Sequence, residues 1–326
     1  MTVAALDRLA SLDAETYDSA RLSEIAACCD RIRDLKREKN AILLAHNYQR
    51  PEIFEVADFV GDSLELAREA AKVEADVIVF AGVHFMAETA KILNPSRKVI
   101  LPNLRAGCSL ADSVDLGALE ERIRTLRAQH SNLGVVCYVN TNAATKALCH
   151  ATVTSANAIR VVEALPFDPI LFLPDKNLAA YVAENTRKKI LVWEGDCYVH
   201  EQITPEEILR AKAARPGAKV LVHPECRTDV LHLADAILST SGMIRYAKEN
   251  PATEFLVVTE CGLSDRLAIE VPEKRFYKAC KLCRYMKMIT LENIEAALLA
   301  GEPEITVPEN IRVRAEKAIQ TMLAVS

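Results

Sequence analysis

Short apolar segments alternate with amphipathic segments along most of the chain. The apolar segments are rich in Val, Ile and Leu, and they lie at residues 41–46, 76–82, 98–102, 134–139, 168–174, 189–193, 219–224, 254–260 and 274–279. Longer segments with helical periodicity lie at residues 116–129, 204–215 and 290–301. Continuous apolar strands that alternate with helices are typical of parallel sheets covered on both faces. The pattern therefore predicts an α/β fold.

The polar residues that end these strands are spaced as if one unit occurred three times. Three strands end in polar clusters at equivalent positions, which are His46, Tyr138 and His223. Seventeen residues after each of them comes a hydroxyl side chain at the expected start of an amphipathic helix: Ser63, Ser155 and Thr240. A cysteine follows the same three positions after 62, 59 and 60 residues, namely Cys108, Cys197 and Cys283. General similarity between α/β units is the alternative, but three features in one order favour three copies of one βα unit.

The repeat predicts a division of the chain into five segments. They are an N-terminal helical cap at 1–40, α/β repeats at 41–130, 131–216 and 217–301, and a C-terminal helix at 302–326. No low-complexity linker separates the repeats, so we expect them to pack on one another. A rough threefold axis between three similar units would bring their polar clusters to one central cavity.

The three repeat cysteines are the first candidates for chemistry. Ligands of α/β sheets bind beyond the carboxyl ends of the strands, where the polar clusters, the hydroxyls and these cysteines all fall. On a threefold axis, the thiolates of Cys108, Cys197 and Cys283 would meet in the central cavity. Three thiolates are the ligand set of a [4Fe–4S] cluster that leaves one iron open. Structural zinc is the competing interpretation, but it prefers four ligands at close spacing.

The remaining seven of the ten cysteines do not occupy the repeat position. Cys280 lies three residues before Cys283 and could form a reversible pair with it. Cys261 also follows a strand, but it aligns with the wrong strand of the other repeats. Cys226 could line the site because it follows a polar cluster. The other four are interpreted as core or helix-packing thiols, and they are Cys28, Cys29, Cys137 and Cys149.

Composition excludes several classes of function. The chain has 326 residues, of which 50% are hydrophobic and 26% charged, as in ordinary globular proteins. A net charge of −5 without a basic block argues against a nucleic-acid partner. No apolar run approaches the roughly 18 residues of a membrane span, and the N-terminus lacks the pattern of a signal peptide. We therefore expect a cytoplasmic protein that binds neither membranes nor nucleic acid.

Nine sequence segments carry a resemblance to a known family. They are AHNYQ, FMAETAKIL, AGCS, YVNT, TSANA, WEGDCYVHE, VHPEC, STSGM and CRYMKM. With them the chain closely resembles the quinolinate synthases over roughly residues 40–300. The resemblance implies three α/β domains around a pseudo-threefold axis with one oxygen-sensitive [4Fe–4S] cluster in the middle.

The resemblance also implies a reaction and its partners. Iminoaspartate (iminosuccinate) and dihydroxyacetone phosphate would condense to quinolinate, phosphate and water in de novo NAD biosynthesis. An enzyme of this kind is a condensing and dehydrating transferase in which the cluster acts as a Lewis acid. Functional coupling to L-aspartate oxidase is expected, because that enzyme would supply the unstable imine.

The matching motif positions imply the site residues. The cluster ligands would be Cys108, Cys197 and Cys283, which leave one iron open. The implied substrate-binding residues are His46, Ser63, Tyr138, Asn140, Ser155, His223, Glu225 and Thr240. Tyr48 falls at the catalytic tyrosine of the family, and His46, His223 and Glu225 are also expected to move protons. Helix starts at the three repeat hydroxyls would suit the anionic substrates.

Two other functions compete with this interpretation. One is a different hydro-lyase that uses a [4Fe–4S] cluster with an open iron on another hydroxy acid. The other is an iron–sulfur redox sensor or scaffold in which Cys280 and Cys283 report the redox state. A sensor would not need three helix-start hydroxyls and paired His and Glu clusters around one cavity, and this favours the enzyme.

Overall fold

The computed structural model describes residues 1–325, and its strands form three sheets of four parallel strands each. The first sheet contains β1 (Ala41–His46), β2 (Phe59–Gly61), β3 (Val77–Ala81) and β4 (Lys98–Ile100). The second contains β5 (Gly134–Tyr138), β6 (Ala151–Val153), β7 (Ile170–Leu173) and β8 (Ile190–Val192). The third contains β9 (Lys219–Val222), β10 (Ala236–Ile237), β11 (Glu254–Val258) and β12 (Arg275–Lys278).

The three sheets share one topology. Their strand orders are β2-β1-β3-β4, β6-β5-β7-β8 and β10-β9-β11-β12, so the first strand of each unit always lies between the second and the third. The predicted α/β class, with three similar βα units and parallel sheets, is confirmed. The threefold axis between the units stays a prediction.

Helices connect the strands and cover the sheets. The N-terminal helices are α1 (Val3–Leu12) and α2 (Ser19–Glu38). The first unit contains α3 (Pro51–Phe54), α4 (Ser63–Ala70), α5 (His84–Leu93), α6 (Ser109–Asp112) and α7 (Leu116–Gln129). The second contains α8 (Ala143–Lys146), α9 (Ala158–Ala164), α10 (Lys176–Glu184), α11 (Tyr198–Glu201) and α12 (Pro205–Ala214). The third contains α13 (Thr228–Leu231), α14 (Thr240–Glu249), α15 (Gly262–Glu270), a 3-10 turn (Met286–Met288) and α16 (Leu291–Ala300), and α17 (Glu309–Val325) follows it.

One hydrophobic cluster runs through all three units. It includes the buried strand residues Leu43, Val136 and Leu221, one from each sheet. Burial on this scale stabilises the assembly, because each buried aliphatic side chain contributes about 1.5–3 kcal/mol. The repeats therefore pack on one another as expected, although their exact boundaries stay predictions. Within residues 1–325, no helix combines the length and the apolar character required to cross a bilayer.

The second strand of each unit was not predicted from the pattern. β2, β6 and β10 are only two or three residues long and lie at the outer edge beside the first strand. Such short segments cannot display an alternating or continuous apolar pattern. They nevertheless position the site, because each leads directly from the sheet to one of the repeat hydroxyls.

The expected helix starts are found in two of the three units. α4 begins at Ser63 after an Asp62 capping box, and α14 begins at Thr240 after Ser239 as N-cap. In the second unit the helix begins only at Ala158, so the prediction that it starts at Ser155 is wrong. The reason is local, because the Asn157 side chain accepts the Thr154 backbone N–H at 2.7 Å and folds this stretch into a turn.

Candidate active site

A single cavity collects the carboxyl ends of the first strands from all three units. Parallel strands that end at the same edge place their following residues on one side of each sheet. The cavity is lined by every predicted ligand and substrate residue, which are His46, Tyr48, Ser63, Cys108, Tyr138, Asn140, Ser155, Cys197, His223, Glu225, Thr240 and Cys283. The structure thus brings all twelve together, and their individual roles stay predictions.

The three repeat cysteines face this cavity from equivalent places. Cys108 precedes α6, Cys197 precedes α11, and Cys283 lies just before the 3-10 turn. Backbone N–H groups of the following turn lie against each sulfur and favour the thiolate. Burial has the larger effect, since it raises the pKa of Cys108 to about 12 and the pKa of Cys197 well above its ordinary value.

Buried thiols that lie next to N–H donors require a cation before they ionise. A metal supplies that charge, because coordination deprotonates thiols. All three cysteines are free thiols in the structure. The cavity therefore has the donor set of a metal or metal-cluster site.

A second potential ligand set overlaps the first. One ligand atom each from Cys197, His200 and Glu225 lie within 4.8 Å of one another. A single ion could be held there in principle, but His200 and Glu225 already contact other side chains of the site. The three-cysteine set is therefore the better candidate.

The other seven cysteines do not line the cavity. Cys280 forms a disulfide with Cys261, so the pairing of Cys280 with Cys283 that the spacing suggested is not found. Backbone pairing explains the choice, because the parallel bridge between Glu260 and Lys281 brings the two disulfide partners side by side. Cys226 is fully buried in the core of the third unit and does not line the cavity.

His46 and His223 occupy equivalent positions and make equivalent bonds. In each case Nδ1 accepts a backbone N–H from two residues later, from Tyr48 at 3.2 Å and from Glu225 at 3.3 Å. This bond leaves the proton on Nε2, and that nitrogen of His223 contacts Ser155 Oγ at 3.2 Å. Burial lowers the pKa of both imidazoles to about 3. Both rings are therefore neutral hydrogen-bond donors at neutral pH.

A chain of buried polar contacts connects the first and third units. The Tyr48 hydroxyl lies 2.5 Å from Thr259 Oγ1, which lies 2.9 Å from His200 Nε2. On the other side of the imidazole, Nδ1 lies 2.9 Å from Glu225 Oε2 without the alignment of a regular hydrogen bond. Tyr138 donates its hydroxyl proton to the other oxygen of this carboxylate. The five residues form a row of close polar contacts in which only the link between His200 and Glu225 lacks hydrogen-bond alignment.

The charge of Glu225 is stabilised by its neighbours. Burial alone would raise the pKa of this carboxyl, but His200, His223 and the hydroxyl of Tyr138 outweigh burial and lower the pKa to about 2. Only 3% of Glu225 is exposed, so its charge acts in a medium of low dielectric constant. A buried carboxylate beside an imidazole can stabilise that imidazole when it takes up a proton.

Several polar groups of the cavity are available to a ligand. Among residues 1–325, the buried Oδ1 of Asn140 has no hydrogen-bond partner. Thr240 Oγ1 accepts a bond from Asn47 at 2.9 Å, and its proton is therefore free to be donated. Ser63 is half-buried at the first position of α4 and offers its hydroxyl, because the Leu64 and Glu65 backbone N–H groups of this helix end are already bound by the Asp62 side chain at 3.0 Å.

Sequence reasoning missed two members of the polar chain. His200 lies three residues after Cys197, so a short helix that starts at the cysteine places both on one side. Thr259 directly follows β11, the third strand of its unit, whereas the predicted polar clusters all end first strands. A search of all strand ends and of positions one turn after each cysteine would have found both residues.

Three α/β units around a buried, cysteine-lined cavity with ordered acid and base groups define an enzyme with a metal-type centre. Residues 30–324 match the family described as Quinolinate synthetase A protein (NadA). The chain belongs to this family and is an enzyme of this kind.

Curated relatives from distant organisms align with nearly the whole chain. Quinolinate synthase of Thermodesulfovibrio yellowstonii is 52% identical over 90% of this chain and 97% of its own length. Quinolinate synthase of Methanoregula boonei is 51% identical over 93% of this chain and 100% of its own length. Quinolinate synthase 1 of Methanosarcina acetivorans is 50% identical over 90% of this chain and 96% of its own length.

Proposed function

We propose that the enzyme condenses iminoaspartate with dihydroxyacetone phosphate to give quinolinate, phosphate and water in de novo NAD biosynthesis. The observation that carries this proposal is the convergence of anion-binding, thiol and proton-transfer groups from three units on one cavity. Family membership supports the reaction. Both substrates are anions with several oxygen atoms, and the cavity offers neutral donors to bind them.

The cofactor of the proposed reaction is a [4Fe–4S] cluster held by Cys108, Cys197 and Cys283. The donor set supports a cluster with one open iron, because three cysteines and no fourth line the cavity within residues 1–325. When bound, the open iron supplies a Lewis acid for substrate oxygens. Anaerobic reconstitution should give about four irons and four sulfides per chain, and replacement of any of the three cysteines by Ser should abolish both.

Substrate anions are held by groups that do not change their charge. Ser63 and Thr240 offer hydroxyls at the first positions of α4 and α14, where the helix dipole favours negative charge. His46 and His223 add neutral Nε2–H donors. The unpaired amide oxygen of Asn140 can accept a bond from a nitrogen-bound hydrogen of the substrate.

Protons move through the buried polar chain. Burial raises the pKa of Tyr48 well above its ordinary value, so its hydroxyl remains protonated and can donate to a departing oxygen. Thr259 can replace that proton from His200, and the Glu225 carboxylate stabilises the charged imidazole. Condensation, loss of phosphate and ring closure all require such transfers.

The proposed setting follows from the reaction. An iron–sulfur enzyme of NAD biosynthesis is expected in the cytoplasm, because its three cluster-binding thiols must stay reduced. Functional coupling to L-aspartate oxidase would deliver the unstable imine before it hydrolyses.

The decisive test is anaerobic turnover by the reconstituted enzyme. Formation of quinolinate and phosphate from iminoaspartate and dihydroxyacetone phosphate would support the proposal. A protein that carries the cluster but forms no quinolinate would contradict it, and dehydration of another hydroxy acid would point to the hydro-lyase instead.

A further inference from the structure

The backbone of Tyr48 is held by an ion pair that has no part in the polar chain described above. The Lys287 ammonium donates a hydrogen bond to the carbonyl oxygen of Tyr48. The same ammonium lies 3.2 Å from Glu260 Oε1 and 3.3 Å from Glu260 Oε2. Only 1% of the Glu260 side chain and 17% of the Lys287 side chain are exposed. A buried ion pair of this kind holds its two groups in one arrangement, because few other partners are within reach.

Glu260 connects this ion pair to the cysteine loop. Its Oε1 accepts the backbone N–H of Cys283 at 3.1 Å, and its Oε2 accepts that of Gly262 at 2.7 Å. The Lys287 backbone N–H bonds in turn to the Cys283 carbonyl at 3.2 Å. The carboxylate thus has a full set of donors and fixes the spacing between Tyr48 and the Cys283 loop.

Tyr48 is consequently held at both ends by one short segment of the third unit. Its hydroxyl contacts Thr259, and its carbonyl is tied through Lys287 to Glu260, the next residue of that segment. The side chain is thereby fixed at its hydroxyl, and the backbone that carries it is fixed at its carbonyl.

Gly262 lies where these groups converge. A Cβ atom on this residue would lie 2.5 Å from Lys287 Nζ, 2.7 Å from the Tyr48 carbonyl oxygen and 2.9 Å from Glu260 Oε2. No side chain fits in this space. The absence of a Cβ at Gly262 is therefore what allows the ammonium to reach the Tyr48 carbonyl.

We propose that Lys287 and Glu260, packed against Gly262, are positioning residues that hold Tyr48 at the distance its proton transfer requires. This inference rests on the proposed role of Tyr48 in the reaction. Small displacements of a reacting group can reduce turnover about a hundredfold without weakening substrate binding. Loss of this contact is therefore expected to lower kcat and to leave KM nearly unchanged.

The test measures single variants, and the same variants combined with Tyr48→Phe, under anaerobic conditions on the reconstituted enzyme. Lys287→Met removes the ammonium donor. Gly262→Ala retains Lys287 but moves its ammonium away from the Tyr48 carbonyl. Each should lower kcat about tenfold to a hundredfold, with KM within about threefold of wild type and the iron content unchanged. In a Tyr48→Phe background, each should lower kcat by less than about twofold more, because its target is already lost.

Matched controls separate this role from general disturbance. Lys281→Met removes a lysine of the same loop whose ammonium pairs with Glu207 at 2.7 Å, away from Tyr48. Gly217→Ala adds a Cβ whose nearest neighbour is Glu254 Oε2 at 3.9 Å. Both controls should retain wild-type kcat. Lys287→Gln keeps a neutral donor and should retain more kcat than Lys287→Met, and it replaces that variant if the latter does not fold.

The possible results are distinguishable. A rise in KM at constant kcat would make Lys287 a substrate-binding residue, and loss of iron would assign it to the Cys283 loop; either result overturns the inference. The inference would also be overturned if the fold losses in kcat of Lys287→Met and Tyr48→Phe multiplied fully in the double variant. Lys287 would then act on a group other than Tyr48. Near-normal kcat in Tyr48→Phe alone would instead refute the proposed role of Tyr48.

Discussion

The polar loops of the first and third units have the same backbone device and different side chains. In both, a buried histidine accepts the N–H of the second residue after it through Nδ1, and its ring is kept neutral by burial. That second residue is Tyr48 in the first unit and Glu225 in the third. The carbonyl oxygens of both are also bound by side chains, from Lys287 and from Asn177 at 3.1 Å.

The two loops share one feature and differ in another. The repeated feature is a neutral imidazole donor at a strand end, which suits the binding of anions in either unit. The changed feature is the residue two positions later, which supplies the hydroxyl that begins the polar chain in one loop and the carboxylate beside His200 in the other. Substrate binding is therefore expected to be shared between the loops, whereas proton transfer requires the hydroxyl and the carboxylate together.

The largest effects are expected at the residue that differs between the two loops. Tyr48→Phe removes the hydroxyl, and Glu225→Gln removes the charge that stabilises a protonated His200. Both should lower kcat by about two orders of magnitude or more, with the iron content intact and dicarboxylate binding retained. The measurement is kcat and KM under anaerobic conditions. If Glu225→Gln raised only KM, Glu225 would be a substrate anchor and the division between the loops would fail.

A second test breaks the connection between the loops at its middle. His200→Gln keeps a polar side chain of similar size but cannot take up a proton beside Glu225 and release it to Thr259. We expect kcat to fall about a hundredfold, and the loss should not multiply with that of Tyr48→Phe, because both act in one path. Fully multiplicative losses in the double variant would show that His200 acts independently of Tyr48.

The sequence contained the repeat and the cavity residues, but it did not contain the contacts between units. First strands, polar ends, hydroxyls and cysteines recur at regular spacing, so the βα units and nine cavity residues could be predicted together, whereas Tyr48, Asn140 and Glu225 were implied by the family resemblance. The roles of His200 and Thr259 depend on a contact between units that spacing within one repeat cannot reveal. Likewise, the Cys261–Cys280 disulfide follows from strand pairing, whereas spacing alone suggested a pair three residues apart.

Smaller effects are expected where the hydroxyls of the three units bind anions. Replacing Ser63 or Thr240 by Ala removes one hydrogen bond to an anion, worth about 1.5–3 kcal/mol, but leaves the imidazole donors of His46 and His223 in place. Substrate binding should weaken about tenfold to a hundredfold while turnover persists. Ser155 lies in the turn before α9 rather than at a helix start, so Ser155→Ala tests whether a hydroxyl contributes as much there as at a helix start. A kcat loss as large as that of Tyr48→Phe would contradict a binding role.

The smallest expected effect concerns stability and tests whether the two histidines are truly equivalent. Each has a folded-state pKa of about 3, below the value of about 6.5 in an unfolded chain. The unfolded state therefore binds more protons between these values, so stability falls as the pH drops below about 6.5. From pH 7 to pH 5.5 each histidine should cost about 1 kcal/mol of unfolding free energy. Denaturant unfolding of the metal-free protein measures this loss, and His46→Asn and His223→Asn should each remove the same share of it. If only one of the two variants altered the pH dependence, the histidines would differ in environment, and the equivalence of the first and third loops would be limited to the backbone.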